Sequence, residues 1–437
     1  MKSMKWLKIF LIVALLLCIS IVGFSADKTL NIMSTQTDIL QKEAQNKIAR
    51  EFESKHPGVQ VSIEYMPWKD VYAKVITGYK AGTLPEVATP DPTPLMTFAA
   101  KGLILPLDDV IEEIGKEDFL PQGLQQCEYQ GHYYAVPYRL QSTALYYRKD
   151  LLKEKSLNPP TNWDEWLEVS KALTEDTNGD GVIDRWGCAL PYGRTGWTDT
   201  HLYYMMWQLG GAMFDENNNV VFNSPEVREA MEFFKKMFPY SPKGCETYSY
   251  YDSISAFTTG KAAMTVYYGR IIGTLVHDAP ELKDKVGAVL IPIPKGGKRV
   301  YSIGAGMFTV FKDSKYPDLG KEFIKDFMNS KYFADFCNAT PLHAIPSRKS
   351  TAESEEFKKN EIIKAYPDIL KVLQESIKYS VPEARGPDGV LNVHVAEIRD
   401  SHVFEDAIQR IVLYNEPIED AFKQVEDKMK KILKAVE

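Results

Sequence analysis

The chain has 437 residues, with 52 basic and 59 acidic side chains, a formal charge of −7, and 44% hydrophobic and 12% aromatic residues. That length suits two large domains, at roughly 100–200 residues each. The acidic balance argues against nucleic acid or an anionic membrane as partner, since both attract clustered lysine and arginine.

Lys2, Lys5 and Lys8 precede an uncharged, mostly apolar run from Ile9 to Phe24, and Gly23-Phe24-Ser25 supplies the small residues a signal peptidase needs. Residues 1–25 are therefore expected to be an export signal cleaved after Ser25, which places the mature protein in the periplasm or outside the cell. An uncleaved membrane anchor is the competing reading, although the run is short for a span. Cys18 follows Leu15-Leu16-Leu17. Lipid attachment there wants a small residue where Leu17 stands, so lipid anchoring is the lesser alternative. Cleavage removes three lysines and no acid, taking the formal charge from −7 to −10 over the remaining 412 residues. Cys127, Cys188, Cys245 and Cys337 remain, too far apart for metal-type spacing; export permits disulfides, but the spacing does not pair them.

Thr29 to Met33 reads as a strand, and Asp38 to Lys55 as a helix whose apolar residues Leu40, Ala44, Ile48 and Phe52 recur every four positions. His56-Pro57-Gly58 stops it. Val59, Val61, Ile63 and Tyr65 alternate with polar residues as in a strand, and Trp68 to Lys80 predicts the next helix. This β-α-β-α-β opening implies a parallel sheet in an α/β protein. Further on, Ser224-Pro225-Glu226 has the cap, first-turn proline and acid of a helix start. Val227, Ala230, Met231, Phe234, Met237 and Phe238 make its apolar face, which reads as core. Amphipathic helices are also predicted over 318–336 and 419–436.

Asp176-Thr177-Asn178-Gly179-Asp180-Gly181-Val182-Ile183-Asp184 matches the first half of a calcium loop. Oxygen ligands from Asp176, Asn178, Asp180, the Val182 carbonyl and Asp184 would hold a structural Ca2+, although position twelve is Gly187, which offers no carboxylate. The plain alternative is an Asx-rich turn without metal.

Several segments carry a family likeness: Gly102 to Asp109, Gly131 to Tyr138, Leu145 to Leu152, Pro159 to Trp166, Asp176 to Gly187, Phe257 to Met264, Pro294 to Gly297 and Ser302 to Gly306. In this order they resemble the bacterial extracellular solute-binding proteins of the sugar-binding, maltose-binding-protein-like class. The resemblance implies a two-lobe periplasmic binding protein type II-like fold with a ligand cleft and a multi-segment hinge. Lobe 1 would take residues 27–138 and 301–340, and lobe 2 residues 141–298 and 341–437. The implied function is capture of a mono- or oligosaccharide by a monomer and its delivery to the transmembrane permease of an ABC importer, with no catalytic cofactor.

A sugar presents C–H faces and a rim of hydroxyls, which call for flat aromatics and for charged or amide groups. By the resemblance, Trp68, Tyr138, Trp197, Tyr267 and Tyr268 lie at lobe edges beside Asp91, Arg139, Arg270 and Arg385. For each aromatic, ordinary core packing is an equal alternative, and for each arginine a surface ion pair. Trp197 stands out because Gly193-Arg194-Thr195-Gly196 reads as a loop with few core obligations, whereas Trp163 and Trp166 follow a helix start and read as core. Gly304 would let backbone approach a ligand, or merely permit close strand packing.

Enzymatic activity would need a nucleophile with a base, a metal centre or an opposed carboxylate pair. The seven histidines are scattered without zinc-type spacing, and the order of motifs supports no reaction. A ferric-ion or other small-solute binding protein of the same fold is the alternative, since Tyr146-Tyr147 and Tyr267-Tyr268 offer paired phenols. Strand alternation would send such neighbours to opposite faces.

Overall fold

The computed structural model describes residues 27–436; the predicted export signal and Cys18 lie outside them. Two sheets organise the chain. The first runs, edge to edge, through Ile345–Pro346, Val136–Gln141, Gly304–Val310, Val87–Ala88, Lys28–Ser34 and Val59–Tyr65. Its opening strands are parallel, with Leu30 level with Val61 and Ile32 level with Val87. The sheet as a whole is mixed, not parallel throughout. Gly304–Val310 lies antiparallel to both its neighbours, and Ile345–Pro346 to Val136–Gln141. The local β-α-β rhythm could not report strands that enter from far along the chain.

The second sheet orders Val286–Val289, Thr143–Arg148, Ala262–Tyr268 and Trp186–Ala189. Only Ser142 separates the end of a first-sheet strand at Gln141 from the start of a second-sheet strand at Thr143. Tyr301–Ser302 and Ser380–Val381 form a separate short parallel pair where the chain returns to the first sheet. Helices cover both sheets, giving two α/β lobes.

The first helix is Ile39–Lys55, capped by Asp38, whose carboxylate accepts from the Leu40 N–H at 3.1 Å. Ala44, Ile48 and Phe52 are buried as their spacing predicts, but Leu40, in the capped first turn, is 58% exposed. Val59–Tyr65 is the edge strand, and its alternation leaves the apolar residues only half buried. Ser224 caps Pro225–Met237 by accepting from the Val227 N–H, and Val227, Ala230, Met231, Phe234 and Met237 are buried.

The stretch expected as one helix over 318–336 is two, Pro317–Met328 and Phe333–Asn338. Between them the Ser330 hydroxyl accepts from the Tyr332 N–H, a local bond that competes with helix continuation. The last helix, Ile418–Val436, buries Phe422 against Phe222 with ring centroids 4.8 Å apart. Among the described residues no helix is long and apolar enough to cross a membrane. The four cysteines in the described residues are buried free thiols.

Candidate functional site

A cavity of about 200 Å³ lies between the two lobes, at the ends of strands from both sheets. The second lobe contributes the start of the helix Gly196–Leu209. Trp197, read from sequence as a loop residue, is in this helix's first turn and only 6% exposed. Gly196 explains why the turn fits, since a Cβ there would sit 2.2 Å from Arg399 Nη2. Trp197 packs into an aromatic box with ring centroids 5.3 Å from Tyr250, 5.5 Å from Tyr267 and 5.2 Å from Tyr268. Behind it, His201 Nδ1 donates to the Trp197 carbonyl at 2.8 Å, and burial pulls its pKa down to about 4, so the ring is neutral. The outcome is a packed wall to which Trp197 and Tyr268 contribute on the cavity side.

Charged groups line the other walls in three arrangements. Glu383 is buried and accepts from Arg399 Nη1 at 2.5 Å, from the Thr200 hydroxyl at 2.8 Å and from the Ser302 hydroxyl at 2.9 Å. Burial opposes the Arg399 charge, but Glu383 and the neighbouring Tyr203, Asp199 and Asp91 outweigh it and push the guanidinium pKa up. Arg270, first residue of the helix Arg270–Asp278, donates to Asp38 Oδ2 at 3.1 Å. Asp38 belongs to the first lobe and Arg270 to the second, so this ion pair spans the cleft.

Arg139 and Asp91 form the third arrangement. The Arg139 side chain is buried at the end of a first-sheet strand, and its Nε and Nη1 have no hydrogen-bond partner among the described residues. Asp91, just ahead of Pro92–Ala100, faces the same space, and burial pushes its carboxyl up to about 6 against the opposing pull of Arg399 and Arg139. An unused donor set and an under-solvated acceptor in one cavity are groups whose desolvation a ligand would offset. Nearby, Gln141 Nε2 lies 2.6 Å from His343 Nε2. Burial, with Arg139 and Arg270 adding to it, holds His343 well below its usual pKa, so its ring can accept.

Of the ten residues named from sequence, Trp68, Asp91, Arg139, Trp197, Tyr268, Arg270 and Gly304 line the cavity. Three do not. Tyr138 is fully buried in the first lobe, with its hydroxyl 2.6 Å from Gln36 Nε2 and its ring under Gly306. Strand alternation turns it into the core while Arg139 faces the cleft. Tyr267 likewise points inward and donates to the Tyr250 carbonyl at 2.8 Å, leaving Tyr268 on the cavity side. Arg385 donates to the Glu128 carbonyl at 3.1 Å, pinning its loop to the short strand Glu128–Tyr129 away from the cavity. Gly304 serves close strand packing as well, because a Cβ there would meet Gln141 Oε1 at 2.7 Å.

The same alternation separates the other tyrosine pair considered for ferric ion. Tyr146 is fully buried, while Tyr147 lies against Gly287. Sequence reasoning missed Asp38, Tyr250, Tyr251, His343, Glu383 and Arg399, which also line the cavity. Each sits in an unremarkable local context, and only the return of the C-terminal segment brings the last three to the cleft.

The calcium expectation is not supported. Asp176 accepts from the N–H groups of Gly179 at 2.7 Å and Gly181 at 2.6 Å, which, with Asp180 and Asn178, hold its pKa down. Asp184 accepts from the Thr177 hydroxyl at 2.8 Å, and Asp180 from the Val182 N–H at 2.8 Å. The carboxylates are thus turned onto the loop's own donors, as in an Asx turn. Among the described residues no group of three or more His, Cys, Asp or Glu side chains is placed to hold a metal ion.

Two α/β lobes enclosing a cavity of aromatic faces and unpaired polar groups define a two-lobed binding protein. The family model described as bacterial extracellular solute-binding protein matches residues 34–331, and the chain belongs to that family of binding proteins. A putative binding protein of Brucella abortus (strain 2308) is 25% identical over 328 residues, 74% of this chain and 77% of that one. An arabinooligosaccharide-binding protein of Bacillus subtilis (strain 168) is 23% identical over 337 residues, 72% of this chain and 74% of that one. Among solved structures, maltose-bound MalE3 of T. maritima shares the fold at a TM-score of 0.77 and 22% identity, covering 93% of this chain and all of that one.

Proposed function

We propose that this protein captures a mono- or oligosaccharide between its lobes and delivers it to the permease of an ATP-driven importer. The observation that carries this reading is the pairing, in one cavity, of the Trp197 and Tyr268 rings with the unsatisfied Arg139 donors and the Asp91 carboxyl. The aromatic faces would cover sugar C–H groups, and Arg139 with Asp91 would bond adjacent hydroxyls as donor and acceptor. Guests named for relatives, maltose and arabinooligosaccharide, fit the same chemistry. Lobe closure would hold the guest, and the closed form would be what the permease recognises. Export by residues 1–25 and action as a monomer belong to the same reading, and no catalytic step does.

Thermal-shift measurement against a carbohydrate panel tests it. At least one sugar should raise the melting temperature of the wild type in a concentration-dependent way, and Arg139→Gln should abolish that shift. Stabilisation by ferric citrate or amino acids, with none from any carbohydrate, would overturn the proposal.

A further inference from the structure

The cavity's size and the ion pair across it say more about the guest, taking the carbohydrate reading as the starting point. The cavity has a volume of about 200 Å³. It falls below the roughly 300–1,000 Å³ of sites that enclose drug-sized ligands, the class to which a disaccharide belongs. Asp38 and Arg270 line this space, and their side chains are 26% and 29% exposed. The pair is therefore part of the cavity wall and also reaches solvent.

Both partners are held from behind. Asp38 is the cap of Ile39–Lys55, and Arg270 begins the helix that follows the strand Ala262–Tyr268. The glycine before Arg270 is backed by the Leu342 carbonyl, where a Cβ would fall 2.0 Å away, so the arginine's backbone has little room to retreat. A guest longer than one ring on this side must break the pair and part the lobes. That is selection by obstruction, which rejects competitors without needing a contact to the preferred ligand.

We propose that the guest is a single sugar ring or its acyclic polyol, and that the Asp38–Arg270 pair is the specificity-determining stop that excludes a second ring. Substituting Asp38→Asn is a clean test, because asparagine caps a helix as well as aspartate does while it loses the charge. Calorimetric titration compares hexoses, L-arabinose and hexitols with the matching disaccharides on the purified protein. In the wild type the preferred monomer should bind at least a hundredfold tighter than its disaccharide. Asp38→Asn should cut that ratio at least tenfold, mainly by improving disaccharide affinity, and Arg270→Gln should do the same, giving a second variant if the first folds poorly.

A disaccharide that binds the wild type tenfold tighter than its monomer would overturn the proposal while leaving the carbohydrate reading standing. An unchanged ratio in both folded variants would likewise overturn the role of the pair. Failure of every carbohydrate to bind would refute the carbohydrate reading itself, and this inference with it.

Discussion

Glu383→Ala should be the most damaging single change at the cleft. Glu383 and Arg399 have side chains only 10% and 20% exposed, and the carboxylate also holds the hydroxyls of Thr200 and Ser302. It ties the helix Gly196–Leu209, the returning strand at Tyr301–Ser302 and the helix Val395–Asp400 to one point. Removing one partner of a buried pair costs about 3–5 kcal/mol, because the remaining charge keeps its desolvation and loses its compensation. An exposed pair would cost only about 0–1 kcal/mol. Urea unfolding followed by tryptophan fluorescence separates these outcomes through a shift in midpoint at constant slope. Adding Arg399→Met to Glu383→Ala should recover about 2 kcal/mol or more, since the guanidinium that has lost its hydrogen-bonded carboxylate is then gone. A loss below about 1 kcal/mol for Glu383→Ala, or strict additivity of the two single changes, would refute the argument that the pair acts as a buried unit.

Asp91 provides a pH test with a defined sign. A carboxyl raised to about 6 in the folded chain binds its proton more tightly than the unfolded chain, whose aspartates titrate near 4, so this group's contribution to stability declines as pH rises from about 4 to about 6. Relative to wild type, Asp91→Asn should gain stability across that window and stay level above it, while sugar affinity falls; equal pH profiles in denaturant melts would contradict this. Gly306→Ala places a methyl 2.4 Å from the Tyr138 ring and should cost about 1–3 kcal/mol by overpacking, measured as a lower urea midpoint. A chelator should leave the melting temperature unchanged and added calcium should not raise it, because the acids of 176–184 are engaged by the loop's own N–H and hydroxyl groups. A chelator-induced drop would restore the calcium reading of that loop.

Much was legible along the chain because the signals are local. Apolar spacing located Ile39–Lys55 and the buried face of Pro225–Met237, and Ser224-Pro225-Glu226 marked where the latter begins. Period-two alternation, applied to Tyr267-Tyr268, predicted that only one of the two would line the cavity, although both rings pack against Trp197. The ordered motifs identified the family, since their sequence along the chain does not depend on knowing any contact. Tertiary structure decided the rest. Whether Tyr138 or its neighbour Arg139 faces the cleft depends on which side of the strand meets Phe308 and Phe336, with ring centroids 4.8 and 5.5 Å from Tyr138. Trp197 could be placed at the cavity from its surroundings, but not as part of a buried aromatic box. Glu383, Arg399 and His343 reach the site from more than 200 residues beyond Arg139 along the chain. Periodicity measures which face of an element is apolar; it carries no information about which distant element arrives to cover that face, and a cleft is made of such arrivals.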